Sequence, residues 1–244
     1  PLLLVILVLA LFYVNNRANT SNNDTGNSNI TEDEIIGDTI YSYLINGEDG
    51  ETILVLSNND SDIDESLLIS DIRTEKVDNC NSYYDESVGQ SFVTGPVWTK
   101  DFSDFTITKV IIKNTLKPLK TTFWFQNLTN LVEIEGLEKI DFTNVTDASG
   151  MFSGCSSLTS LDLTSFDMRN VVSASGMFSN CTNLQTIYVD SEKWNLSNME
   201  SSDYMFYGAI NLTGSNGTKF DSNYIDKTYA RIDTKEEPGY LSSK

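Results

Sequence analysis

The chain reads as a β-rich α/β solenoid. It is expected to be a short stack of three to four repeat coils, capped at both ends and preceded by an apolar N-terminal helix. Phe125, Phe152, Phe178 and Phe206 lie 27, 26 and 28 residues apart. Leu131, Leu158, Leu184 and Leu212 move through the same three intervals. Residues 1–14 form an uninterrupted apolar run, PLLLVILVLALFYV. Two apolar marks moving in lockstep with a period in the twenties define an internal repeat. A unit that small cannot bury its own apolar face and must stack on a neighbour.

The elements follow in chain order. At about 1.5 Å per residue a helix over residues 1–14 spans about 21 Å, short of the roughly 30 Å hydrocarbon core of a bilayer. The run fits the tail of a secretory signal peptide or an uncleaved membrane anchor. No A-x-A cleavage pattern follows it, which favours the anchor. A third reading is a filament subunit whose apolar N-termini bundle together. Residues 15–33 are rich in Asn, Ser, Thr and Asp and read as a disordered polar spacer.

Residues 34–104 read as a β-rich N-terminal region and cap. Ile40–Ile45 and Ile53–Leu56 flank a Gly-containing turn, which is a hairpin pattern. The stretch from Leu67 to Val77 is ambiguous, and Gly95-Pro96 marks a turn. Residues 105–214 carry the repeats, opening on an alternating strand pattern at Phe105–Ile112. Residues 215–244 break the period and read as the C-terminal cap, with a turn at Pro238-Gly239.

Within each unit the phenylalanine follows Trp124, Met151, Met177 or Met205. Two residues after it stands Asn127, Gly154, Asn180 or Gly208, types that tolerate positive φ, so a tight corner is expected there. Leu128, Cys155, Cys181 and Ala209 come next and suit burial. Asn130, Ser157, Asn183 and Asn211 then recur, with side chains able to bond turn backbone. The run L-x-x-L-x-L follows, as Leu158, Leu161 and Leu163, and as Leu184, Ile187 and Val189. The first copy is looser, with Leu131, Ile134 and Leu137. This is the strand signature of a leucine-rich repeat. Ile140, Phe166 and Trp194 each precede Asn144, Asn170 or Asn198 by four residues.

Composition narrows the function classes. The net charge is −19, from 35 acidic and 16 basic residues. Phosphate-backbone binding needs clustered Lys and Arg, so nucleic acid is not a partner this chain predicts. There is no histidine, which excludes Ser-His-Asp and Cys-His catalysis and His-ligated zinc or haem. Three cysteines, Cys80, Cys155 and Cys181, make no paired disulfide framework. Cys155 and Cys181 occupy equivalent positions and read as small buried residues in a ladder.

The units also resemble the BspA-like leucine-rich repeat surface proteins of bacteria and some protists. The pattern N-V…M-F-x-x-C-x-x-L-x-x-L-D-L is matched by Asn144, Val145, Met151, Phe152, Cys155, Leu158, Leu161, Asp162 and Leu163. The next copy matches at Asn170, Val171, Met177, Phe178, Cys181 and Leu184, with Tyr188 where the family has aspartate. The ending TYARIDTKEEPGYLS belongs to the same resemblance. It implies a secreted or surface-displayed β-rich solenoid used in adhesion or other protein contacts, and not an enzyme.

On an L-x-x-L-x-L strand the x positions face outward. The candidate ligand-binding face is therefore Glu133, Glu135, Ser160, Asp162, Thr186 and Tyr188. Asp60, Asp62, Asp64 and Asp71 have oxygen-rich spacing, but Glu65 stands where a calcium loop needs glycine, so a solvated acidic loop is the reading. Glu133, Glu135 and Glu138 are weak evidence for glycosidic chemistry, which needs a cleft that shifts one pKa. No catalytic residue, metal site or cofactor is assigned. The expected function is a membrane-anchored, extracellular adhesion or protein-interaction module at the cell surface. Its partners would be host, matrix or neighbouring-cell proteins, with residues 1–14 in the membrane. The alternative is a self-assembling structural subunit of a surface filament.

Overall fold

A computed structural model gives the architecture and describes residues 40–59, 61, 68, 82–85, 90–93, 96 and 106–244. All of these fall in one compact unit, Ile36–Lys244. The expected N-terminal helix and spacer, Asp60, Asp62, Asp64 and Asp71, the Leu67–Val77 stretch apart from Leu68, and Cys80 lie outside the described residues.

The expected fold class is corrected. Among the described residues there is no α-helix, and the strands divide between separate sheets instead of running as one ladder through every repeat. The α/β leucine-rich-repeat solenoid therefore does not describe this chain. The cause is local. The L-x-x-L-x-L runs support strands of only three or four residues. The Asn/Ser/Asp/Gly-rich return segments hold turns and single 3-10 turns such as Phe142–Asn144 and Met168–Asn170. Such residues bond their own neighbouring backbone and so favour turns over helix.

One sheet has four strands: β1 (Tyr41–Asn46), β2 (Thr52–Ser57), β5 (Ile107–Ile112) and β6 (Glu133–Glu135), in the order β1-β2-β5-β6. β1 and β2 form an antiparallel hairpin, whereas β2–β5 and β5–β6 are parallel. β3 (Ser82–Asp85) and β4 (Gln90–Val93) pair antiparallel by themselves. The third sheet is parallel, with β7 (Ser160–Asp162), β8 (Thr186–Val189) and β9 (Leu241–Ser243) in that order. No pairing joins β6 to β7.

The core is built from the repeat marks. Phe125, Phe152, Phe178 and Phe206 are fully buried and make a file of rings, 5.5, 5.9 and 5.5 Å between successive centroids. Tyr240, also fully buried, closes the file edge-on against Phe206 at 5.3 Å. Its hydroxyl accepts from Asp221 N at 2.9 Å, so the phenol's polar end is satisfied. Leu131, Leu158, Leu184 and Leu212 are buried alongside. Each such aromatic side chain contributes roughly 2–3 kcal/mol of hydrophobic free energy when removed from water. Phe142 and Phe166 stack at 3.8 Å in a second file.

On the corner side, successive repeats bond backbone to backbone without interruption. Phe125 N donates to Met151 O, Phe152 N to Met177 O and Phe178 N to Met205 O, at 2.8–2.9 Å. The corners expected two residues beyond each phenylalanine all have positive φ: Asn127 (60°), Gly154 (77°), Asn180 (58°) and Gly208 (74°). The types alternate for a steric reason. A Cβ on Gly154 would stand 2.5 Å from Asn127 Oδ1, and one on Gly208 2.6 Å from Asn180 Oδ1.

Candidate functional site

The outward residues of the three strands do not lie on one continuous sheet, because it breaks between β6 and β7. Neighbouring repeats are otherwise tied on the strand side by a regular set of rungs. Val132 N donates to Thr108 O (2.9 Å), Gln185 N to Thr159 O (2.9 Å) and Thr213 N to Gln185 O (3.0 Å). Among the described residues no backbone hydrogen bond joins Val132 to Thr159 or β6 to β7.

Asn144 lies 13 residues after Leu131, Asn170 12 after Leu158 and Asn198 14 after Leu184, so the returns differ in length. β6 ends at Gly136, whose φ of 81° starts the 3-10 turn Leu137–Lys139. A Cβ on Gly136 would stand 2.5 Å from Ile112 O, so only glycine lets this backbone close on the end of β5. Lys139 then donates from Nζ to Ile112 O (3.0 Å) and Lys113 O (3.2 Å), holding the segment to the β5 side.

The break leaves an open groove of about 290 Å³. Leu137, Leu158 and Leu161 are buried and line it, while Glu133, Ser160 and Asp162 stand exposed at its rim. Ser165 also lines it, and its hydroxyl oxygen is buried with no hydrogen-bond partner. Thr186 and Tyr188 line a second, wider and more polar depression of about 620 Å³ together with Asn211, Ser215 and Ser242. Glu135 lines neither and is turned to Lys109.

Two lysines organise the charge. Lys109 Nζ lies 3.3 Å from Glu133 Oε2 and 3.0 Å from Glu135 Oε2. The hydrogen bond to Glu135 is the main cause that raises the Lys109 pKa, and the same bond lowers that of Glu135. Lys244 pairs with Asp162 and lies 5.6 Å from the Tyr188 ring centroid, which links the two depressions. Burial opposes ionisation of Asp162, yet Lys244 and the hydroxyl and N–H of Thr164 outweigh it and hold the carboxyl below its usual range. The Lys244–Asp162 pair is solvent-exposed and contributes little to stability, whereas the Lys109 side chain is only 20% exposed between its two glutamates.

Lys109, Lys244 and the apolar floor at Leu137 are missing from the sequence-derived site. The one local signal is Gly136, which stands in the first L-x-x-L-x-L copy where the later copies have Leu163 and Val189. An exposed apolar patch was also not read from the sequence. Tyr204, Tyr207 and Ile210 are 62%, 53% and 62% exposed, and the two tyrosine rings meet edge-on at 6.0 Å. Tyr204 holds φ 58° at the position where two earlier repeats carry Gly150 and Gly176.

Cys155 and Cys181 are free and buried; each thiol donates to a backbone carbonyl of the preceding repeat, Phe125 O and Phe152 O, both at 3.0 Å. Among the described residues no group of three or more Cys, Asp or Glu is arranged to hold a metal ion. Among them, too, no helix is long and apolar enough to cross a membrane.

The fold and grooves define a turn-rich repeat protein with an acidic strand face. Residues 119–236 match the family described as "Mycoplasma protein of unknown function, DUF285". The match runs from just before Phe125 to residue 236 and includes β6, β7 and β8. The narrower likeness to BspA-like proteins rests on the residue pattern alone. No curated protein and no solved structure matches the chain.

Proposed function

We propose that this chain is a cell-surface interaction module, tethered to the membrane through residues 1–14 and lifted from it by residues 15–33. It binds proteins of a host, a matrix or a neighbouring cell through its strand face. The observation that carries the reading is the groove at the β6–β7 break, with an apolar floor beneath an acidic rim. Interfaces draw affinity from apolar anchors in pockets and orientation from a polar rim. The BspA-like motif pattern supports the surface role. The net charge of −19 favours basic partners and electrostatic steering towards them. The test compares the full chain with the triple variant Glu133→Ala, Asp162→Ala, Tyr188→Ala for binding to intact host cells and matrix-coated surfaces. The expected result is about tenfold weaker binding, equivalent to about 1.4 kcal/mol. Unchanged binding places the contact on another face.

A further inference from the structure

We propose that the break between β6 and β7 receives an extended, basic segment of the partner protein, which adds there as a strand. This rests on the strand-face reading and specifies the partner chemistry of that same groove. A sheet edge presents a row of N–H and C=O groups that template pairing with another chain. Here the unpaired edges of β6 and β7 border one groove, between the ties of Ser157 Oγ to Thr129 O and Asn170 Nδ2 to Thr143 O (both 2.7 Å). Alternate residues of a strand direct their backbone groups to opposite neighbours. Val132 bonds to β5 and Thr159 to the β8 side. The backbone groups of Glu133 and Glu135 on β6, and of Ser160 and Asp162 on β7, therefore face the break.

The side chains select what can enter. An added strand turns alternate residues to opposite faces. One set meets the apolar floor of Leu137, Leu158 and Leu161, and the other meets the rim. The rim is acidic: Glu133, Glu138 and Asp162. Glu138 is exposed and has no ion pair among the described residues. The Lys244–Asp162 pair is exposed, so a partner's Lys or Arg can replace Lys244 at little cost, and Lys109 keeps Glu135 when Glu133 turns to the partner. Main-chain pairing then provides affinity, and alternating apolar and basic side chains provide specificity.

The experiment uses the full chain in detergent and, as probe, a nine-residue peptide alternating lysine and valine. A second peptide of identical sequence, N-methylated at the valines, keeps the charge but loses backbone donors. Residue-resolved amide hydrogen exchange is read with and without each peptide. The expected result is protection of the Glu133, Glu135, Ser160 and Asp162 amides by the first peptide, with at least tenfold weaker binding of the methylated one. The double variant Glu138→Lys, Asp162→Lys, both at exposed positions, should weaken the first peptide by a similar factor while exchange in the Phe152 core stays unchanged. Equal binding of the two peptides, or no protection at those amides, overturns strand addition. Concentration-dependent protection without peptide also overturns it, because a second copy is then the occupant. If the triple variant described above loses partner binding while these amides stay unprotected, this inference fails and the strand-face reading stands.

Discussion

The rings of Phe152 and Phe178 lie 5.9 Å apart and only 4° from parallel, both fully buried. Each repeat thus supplies the surface its neighbour needs. Truncating the middle of the file removes contacts on two sides at once. Phe152→Ala should destabilise the protein by about 3–5 kcal/mol, the range for a large core truncation that leaves a cavity. Denaturant unfolding measures it; a loss below about 1 kcal/mol would show that the file does not hold the repeats together.

The alternation of Asn and Gly at the corners makes a second prediction. Gly154→Ala places a Cβ 2.5 Å from Asn127 Oδ1 at a backbone φ of 77°. The cost should be about 1–3 kcal/mol, combining left-handed strain with the clash. Adding Asn127→Gly should recover the clash and leave the strain. A double-mutant cycle reads the coupling, and strictly additive effects would contradict the contact.

Acid should unfold this protein through its bonded aspartates. Asp233 is only 4% exposed and accepts from Asn216 N (2.8 Å), Thr218 N (3.0 Å), Thr218 Oγ1 (2.6 Å) and Gly239 N (3.2 Å). Burial opposes its ionisation, but these donors outweigh it and keep the carboxyl below the ordinary range. Asp141, held down by Thr143, and Asp167, held down by Arg169, behave alike. A pKa depressed in the folded state means that the unfolded chain binds more protons, so stability rises with pH there. The contribution is complete above an unfolded pKa of about 3.9 and is lost as pH falls through the folded values. Unfolding free energy measured against pH should therefore be level near neutrality and drop below about pH 4. Asp233→Asn should flatten that drop.

The buried thiols should be inert. Burial pushes the Cys181 thiol up to about 12 and Cys155 well above its ordinary value. Thiolate is the reactive form. Iodoacetamide at neutral pH should leave both unmodified in the native protein and label both after unfolding, as read by peptide mass mapping. Rapid native labelling at either residue would mean that the repeat ladder opens locally.

The interior was largely legible in the sequence. Spacing alone points to the Phe and Leu files, to Met151, Met177 and Met205 beside them, and to the positive-φ corners at Asn127, Gly154, Asn180 and Gly208. Burial and left-handed backbone restrict residue type strongly, so they leave a periodic trace. The solenoid class did not follow. The same L-x-x-L-x-L pattern fits one continuous sheet or two separated ones, since it marks which side chains are buried and not which strand edges meet.

The candidate site was legible as residues but not as an arrangement. Glu133, Ser160 and Asp162 share a groove, Thr186 and Tyr188 share another, and Glu135 turns to Lys109. Lys244 reaches Asp162 from 82 residues away in the chain, which no local pattern announces. By itself the sequence determined the repeat, its buried residues and the acidic character of the surface, because each is a property of residue type at a recurring position. Only the tertiary structure decided that β6 stays with β5 while β7 joins β8. Gly136 closes against Ile112 O and ends β6, whereas Leu163, five residues after Leu158 as Gly136 is after Leu131, bonds on to Tyr188 O, and this difference exists only once the repeats are folded side by side.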